Sequence, residues 1–167
     1  KSIWLDIQAT AERYYQPGKF TTFTGYEYTA QPGYGNLHRV VLFKGARAPD
    51  QPFGALDSFN PEDLWKWLDD NRAKGIDGIA IPHNINVSDG RMFQMTDFSG
   101  KPIDSAYAEI RMRNEPIVEM SQVKGTSDTH PMLSPNDEWA DFETYDTLLG
   151  TDIKGKTDGS YIRQALQ

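Results

Sequence analysis

The sequence feature that most constrains the fold is a short apolar run that ends in a histidine and an asparagine, Ile79-Ala80-Ile81-Pro82-His83-Asn84. Its apolar residues predict a strand buried on both faces, as in α/β sheets. The polar end of such a strand is where these sheets usually carry their chemistry. Because a strand fixes the direction of the next side chain and imidazole binds divalent metals, His83 is a candidate metal ligand. A capping histidine in a loop is the alternative.

Size and charge limit the fold and the partners of the chain. With 167 residues, it is long enough for one domain with a substantial core. A net charge of −7, from 24 acidic and 17 basic residues, disfavours nucleic acid, whose phosphates need a basic surface. No segment has the length of a membrane helix and the start lacks a signal-peptide pattern, so we expect a soluble protein whose compartment stays open. Since cysteine is absent, any metal must be held by His, Asp, Glu or water.

Periodicity and turn residues predict alternating helices and strands. Helices are expected at 2–15, from 61 up to Gly75, at 104–113 and at 160–166, and a helix start at 134–139. Strands are expected at 20–29, 37–43, 79–82 and 116–121, and a surface loop at 45–59. The central order of strand, helix and strand favours a parallel α/β sheet.

The three histidines of the chain, His38, His83 and His130, each lie at an end of a predicted strand or in the loop after it. They belong to three different strand–loop units, which is how one face of an α/β barrel or sheet gathers residues that are distant in sequence. Glu27 has the same placement near the end of the first strand. Three imidazoles and a carboxylate suit zinc, manganese or iron.

Several of these ligand assignments have alternatives. Asp128 and His130 are alternate residues of a predicted extended segment, so both could reach one metal, but a polar turn is also compatible with the sequence. His38 could instead pack against the neighbouring strand. Glu119 is either a ligand or a residue that faces water.

Candidate substrate contacts lie near the same predicted face, and they are Asn84, Arg91 and Lys124. The two cations could hold an anionic substrate, although such residues are more often solvated surface charges. A serine hydrolase is poorly supported because the chain has no Gly-x-Ser-x-Gly motif, and it has no glycine-rich phosphate loop. The expected partner is therefore a small molecule, with no nucleic acid and no membrane.

Several blocks are spread along nearly the whole chain: Phe23-Thr-Gly-Tyr-Glu-Tyr-Thr29, Gly35-Asn-Leu-His-Arg39, Ile81-Pro-His-Asn84 with Ser88-Asp-Gly-Arg-Met-Phe93, Val118-Glu119 with Gln122-Val-Lys-Gly125, and Ser134-Pro-Asn-Asp-Glu138. Together they resemble a large bacterial family of unknown function that is related to the polymerase and histidinol phosphatase (PHP) superfamily of metal-dependent phosphoesterases. The resemblance implies an α/β fold, part of a distorted (β/α)7 TIM-like barrel with mainly parallel strands. It also implies two or three metal ions at the C-terminal ends of the strands.

The resemblance also implies roles for individual residues. Glu27 matches a strand-end glutamate that bridges metals, and His83 matches the histidine that follows a small apolar strand. His130 lies where a further histidine ligand is expected, and His38 is carried over as well. The opening His-x-His strand and the closing Asp-x-His strand of the superfamily have no counterpart, so residues 1–167 are expected to be one partial domain.

The expected function is that of a metal-dependent hydrolase, a phosphoesterase that uses metal-activated water on a small-molecule phosphate ester. Glu27 and His83 are the expected catalytic residues, and the expected metal ligands are Glu27, His38, His83, His130 and Asp128. Asn84, Arg91 and Lys124 are the expected substrate contacts. The alternative is a non-catalytic fragment or binding module with the same fold and an incomplete metal centre. The substrate, the metal, the oligomeric state and the activity of these residues alone stay open.

Overall fold

The computed structural model describes residues 2–166, and a three-stranded sheet lies at its centre. The strands are β1 (Thr24–Tyr28), β2 (Arg39–Phe43) and β3 (Gly78–Pro82), in the spatial order β1-β2-β3. Both strand pairs are antiparallel. A two-stranded hairpin is formed by β4 (Ser121–Gln122) and β5 (Gly125–Thr126).

Four helices accompany the two sheets in residues 2–166, and they are α1 (Ile3–Tyr14), α2 (Pro61–Arg72), α3 (Ser105–Asn114) and α4 (Ile162–Ala165). Single 3₁₀ turns follow β1 and β3, at Pro32–Tyr34 and Ile85–Val87. Within the described part of the chain, no helix is long and apolar enough to cross a membrane.

The predicted barrel is wrong: the expectation of part of a distorted (β/α)7 TIM-like barrel with mainly parallel strands is contradicted by two antiparallel strand pairs. The reason lies in the connection between β2 and β3. In a parallel unit, the connecting helix alone carries the chain back along the sheet. Here the segment 44–60 already runs back along the sheet before the helix begins, because the carbonyls of Phe53 and Ser58 accept hydrogen bonds from tyrosines of β1 (2.7 and 2.8 Å). Helix α2 then runs in the opposite direction and ends near the end of β2. Strand β3 therefore begins with Gly78 paired to Phe43, the last residue of β2, and is antiparallel to it.

Most of the predicted elements are confirmed, with two exceptions. Residues 116–120 form no strand, and this segment joins β3 through a single backbone bond, from Glu119 N–H to the Pro82 carbonyl (3.0 Å). Residues 134–139 form turns instead of a helix start. There the Asp137 carboxylate accepts the backbone N–H of Trp139 (3.0 Å), a local bond that competes with helix formation.

The core lies on one face of the central sheet. Side chains alternate along a strand, and Tyr28, Val41, Phe43 and Ala80 are fully buried on this face. Helix α1 contributes Trp4, whose ring lies edge-on to Phe43 at 6.3 Å. Helix α2 contributes two further buried residues, Leu64 and Leu68. Burial of these large apolar side chains is the main source of stability for this face.

Helix α2 begins and ends as its sequence predicts. The Asn60 side chain accepts the backbone N–H of Glu62 (2.9 Å), and Pro61 occupies the first helical turn, where its missing N–H costs nothing. Gly75, with a φ of 79°, lies in the left-handed region just beyond the helix. The local signals in the sequence therefore set both ends of this helix.

A buried ion cluster ties β2 to α2 and α3. The side chains of Arg39 and Glu115 are 1% and 2% exposed, and Nε of Arg39 donates to Oε1 of Glu115 at 2.8 Å. Trp65 donates to the same oxygen (2.7 Å), and Arg111 donates to Oε2 (3.1 Å). Burial acts to raise the pKa of Glu115, but the two guanidinium groups outweigh it and hold this pKa below its usual range. The carboxylate is therefore ionised and fully paired.

We expect the substitution Glu115→Gln to destabilise the protein by about 3–5 kcal/mol, because it leaves the buried charge of Arg39 without its counter-ion. Urea unfolding of wild type and variant measures the difference. The control is Asp70→Asn, which removes an exposed partner of Lys66 and should leave the unfolding midpoint unchanged. Equal stability of Glu115→Gln and wild type would contradict this role of the ion cluster.

Candidate metal centre

Glu27, His38 and His83 meet at one end of the central sheet. Because the strands are antiparallel, the end of β1, the start of β2 and the end of β3 all lie at this end of the sheet. The register pairs Glu27 with Val40 and Val40 with Ile81. His38 lies two positions before Val40, and His83 lies two positions after Ile81. Since side chains two positions apart along a strand lie on the same face, the two histidines and the Glu27 carboxylate are all on the face opposite the core.

The distances between these three side chains fit a single metal ion. Oε1 of Glu27 lies 3.0 Å from Nδ1 of His38 and 3.2 Å from Nε2 of His83. One potential ligand atom from each residue lies within 4.8 Å of the other two. Ligand atoms bound tetrahedrally at roughly 2.1 Å from an ion are about 3.4 Å apart. We call this group of three residues the candidate centre.

The two imidazoles of the candidate centre are buried and its carboxylate is accessible. His38 and His83 are 9% and 8% exposed, whereas the Glu27 side chain is 47% exposed. Burial lowers the pKa of His38 below its ordinary value of 6.5, against the opposing charge of Glu27, and the charges of His83 and Lys124 add to the lowering. Because neutral imidazole is the metal-binding form, this shift favours ligation.

Several buried polar atoms in the candidate centre, or next to it along the chain, have no hydrogen-bond partner among the described residues. Nε2 of His38, Nδ1 of His83, Oδ1 of Asn84 and both amide atoms of Asn36 are buried without a hydrogen-bond partner among the described residues. Asn36 and Asn84 lie within two residues of a histidine of the centre. The unpaired ring nitrogens are the ones that do not face Glu27, so Nδ1 of His38 and Nε2 of His83 are the nitrogens available to a shared ion. Two imidazole nitrogens and one carboxylate oxygen within 4.8 Å of one another are a donor set that fits a divalent cation.

Two predicted ligands lie outside the candidate centre within the described part of the chain, namely Asp128 and His130. Asp128 pairs with Arg163, with 2.6 Å between Oδ2 and Nη2. Nδ1 of His130 accepts the backbone N–H of Met132 (3.2 Å), and its ring lies 5.6 Å from that of Tyr161. The structure thus brings together three of the five predicted ligands, and metal binding by any of them stays a prediction.

The three predicted substrate contacts occupy different places. The charge of Lys124 acts on His38, so this side chain lies near the candidate centre. Asn84 follows His83 directly in a left-handed conformation (φ 53°). The guanidinium of Arg91 lies over the turn after β1, 3.2 Å from the position that a Cβ on Gly33 would occupy, and its charge is not among those that shift the pKa of His38.

One residue whose role the sequence left open connects to the candidate centre without joining it. Oε1 of Glu119 accepts the backbone N–H of Asn84 (3.3 Å) and the side-chain amide of Gln122 (2.7 Å). Its carboxylate is therefore a hydrogen-bond acceptor for the chain next to His83. No local sequence pattern predicts the first of these bonds, because the two residues are 35 positions apart.

Comparison with known proteins identifies the family. The whole chain, residues 1–167, matches the family described as "Protein of unknown function (DUF3604)". The chain belongs to the DUF3604 family. No curated protein and no solved structure matches this DUF3604 chain significantly. The resemblance to a family of unknown function is confirmed, while the family match by itself carries no link to the PHP superfamily.

We expect metal affinity of this DUF3604 chain to fall as the pH is lowered, because protons compete with the metal for the ligands. Since the pKa of His38 is below 6.5 in the folded protein, protonation of His38 should contribute to the fall only below this pH. Isothermal titration calorimetry with Zn²⁺ or Mn²⁺ from about pH 8 to about pH 5 measures the profile. An affinity that is constant over this range would exclude histidine ligation.

Proposed function

We propose that this chain carries the metal centre of a hydrolase that cleaves small-molecule phosphate esters. The observation that supports this proposal is the approach of Glu27, His38 and His83, with potential ligand atoms within 4.8 Å of one another. Two imidazoles and one carboxylate form a known ligand set of catalytic zinc, which leaves a coordination position open. A bound zinc, manganese or iron ion would supply a Lewis acid and a more acidic water.

The three side chains of the candidate centre would have different roles, because they differ in exposure to solvent. His38 and His83 are buried and held at strand ends, so they would fix the position of the ion. Glu27 is the exposed member and lies on the side from which a substrate can arrive. The residues that we propose as catalytic are Glu27, on the accessible side of the ion, and His83, which would hold the ion in place together with His38.

Lys124 supports an anionic substrate. Its positive charge lies near enough to lower the pKa of His38, so it would also attract a phosphate group at the candidate centre. Asn84 offers a second contact of another kind: its Oδ1, which is buried without a partner among the described residues, would accept a hydrogen bond from a hydroxyl group of the substrate and not from the anionic phosphate. Arg91 is not assigned to the substrate, since its charge, unlike that of Lys124, is not among those that shift the pKa of His38.

We also propose that the DUF3604 family is distantly related to the PHP superfamily through its metal-binding residues. Three of the blocks that carry this resemblance contain one member of the candidate centre each: Glu27 in 23–29, His38 in 35–39 and His83 in 81–84. The proposed relationship concerns these ligands and does not extend to a barrel of parallel strands.

A binding module without catalysis is the second candidate function. It is favoured by one observation: Asp128 and His130 are engaged in other contacts, so three predicted ligands remain in the candidate centre. This reading predicts metal binding without hydrolysis of any phosphate ester.

The test of the proposed function is metal content and hydrolysis in wild type and in His83→Ala. We expect wild type to bind about one ion per chain and to hydrolyse a generic phosphomonoester or phosphodiester such as a nitrophenyl phosphate. His83→Ala should lose both properties, because it removes a ligand. His130→Ala is the matched control and should keep both. Metal binding without hydrolysis would favour the binding module, and a metal-free wild type would contradict both functions.

Replacement of Lys124 separates substrate binding from metal binding. We expect Lys124→Met to raise KM for an anionic ester by about tenfold or more, as loss of a charge-assisted contact does, with metal content unchanged. Arg91→Met is the control cation and should leave KM unchanged. Steady-state kinetics at constant ionic strength measures both variants. An unchanged KM for Lys124→Met would remove this residue from the substrate site.

A further inference from the structure

Glu119 is bonded to the residues on both sides of His83. Its backbone N–H donates to the carbonyl of Pro82 (3.0 Å), and its side-chain Oε1 accepts the N–H of Asn84 (3.3 Å). From the opposite side, the N–H of His83 donates to the carbonyl of His38 (3.2 Å). The backbone around His83 is therefore fixed by β2 on one side and by Glu119 on the other.

The chain needs such a bond at this point because the ladder of β3 ends here. Pro82 has no N–H to donate. Asn84 adopts a left-handed conformation (φ 53°, ψ 39°), which asparagine takes more readily than most residues with a Cβ and which turns the chain out of the strand. In a continued sheet, a backbone carbonyl would accept the N–H of Asn84. Here the carboxylate of Glu119 takes that place, at 3.3 Å.

Neighbouring contacts hold Glu119 itself in place. The side-chain amide of Gln122, in β4, donates to the same Oε1 at 2.7 Å. The 3₁₀ turn after His83 is tied to the same hairpin, because the Asn86 side chain donates to the carbonyl of Lys124 (2.9 Å) and its N–H donates to Oγ of Ser127 (3.2 Å). The hairpin therefore supports the chain that follows His83 at several points.

We propose that Glu119 is a positioning residue for His83. By holding the N–H of Asn84, its carboxylate keeps the imidazole of His83 aimed at Glu27 and His38 before any ion binds, and this preorganisation raises metal affinity. The inference rests on the proposed function, since it assigns the metal centre to these residues. Glu119 acts through the backbone and is not a ligand of the candidate centre.

The test compares three variants of the full chain by titration with Co²⁺, whose visible absorption spectrum reports ligand geometry. We expect Glu119→Ala to weaken Co²⁺ binding by about 10–100-fold, the usual effect of losing a group that orients a ligand, and to change the spectrum. Glu119→Gln keeps an acceptor oxygen and should retain most of the affinity and the wild-type spectrum. Gln122→Ala, which removes a support of Glu119, should have a smaller effect than Glu119→Ala.

A measurement on the metal-free protein separates this inference from the proposed function. In ¹H–¹⁵N and ¹H–¹³C spectra, the amide of Asn84 should be protected from hydrogen exchange in wild type and in Glu119→Gln. In Glu119→Ala this protection should be lost and the ring signals of His83 should shift. If wild type binds no Co²⁺ but these signals behave as stated, the metal centre fails and the positioning role stands.

Two results would overturn the positioning role. The first is a Glu119→Ala variant with wild-type exchange protection at Asn84, unshifted His83 ring signals and, where wild type binds Co²⁺, unchanged affinity. The second is a Glu119→Gln variant that loses as much affinity as Glu119→Ala, because Glu119 would then act through its charge or as a direct ligand.

Discussion

The antiparallel pairing of β2 with strands on both sides is the constraint on which the rest of this structure depends. This pairing brings the end of β1, the start of β2 and the end of β3 to one end of the sheet. Alternation along the strands then directs Glu27, His38 and His83 to one face and the apolar side chains to the other. A change of register by one residue would move the histidines to the core face and destroy both arrangements.

The start of β2 links the stability of the fold to the candidate centre. Arg39 lies on the core face, where the buried carboxylate of Glu115 joins β2 to α2 and α3. The adjacent residue, His38, lies on the opposite face as a potential ligand. His83 is supported in a comparable way, by the carbonyl of His38 and by the bonds that Glu119 makes to its two neighbours. Both histidines are thus held by rigid backbone, which a metal centre requires.

Local signals in the sequence predict the elements of this fold better than they predict its topology. The cap at Asn60 and the aliphatic run at 79–82 correctly identify α2 and β3. Strand direction depended on the path of 44–60, an irregular segment whose hydrogen bonds to tyrosines of β1 no periodicity encodes. Placement at strand ends was sufficient to select the three members of the candidate centre, whatever the direction of the strands. The same placement also selected His130, which lies outside the candidate centre, where the chain turns and the ring accepts a backbone N–H.

The metal centre is best tested by diffraction from crystals soaked in Zn²⁺, collected on both sides of the zinc absorption edge, because anomalous scattering locates the ion without assumptions about its ligands. We expect a single strong peak within bonding distance, about 2.0–2.2 Å, of Glu27, Nδ1 of His38 and Nε2 of His83. A peak at His130 and Asp128, or zinc bound only to scattered surface carboxylates, would contradict a metal centre at Glu27, His38 and His83.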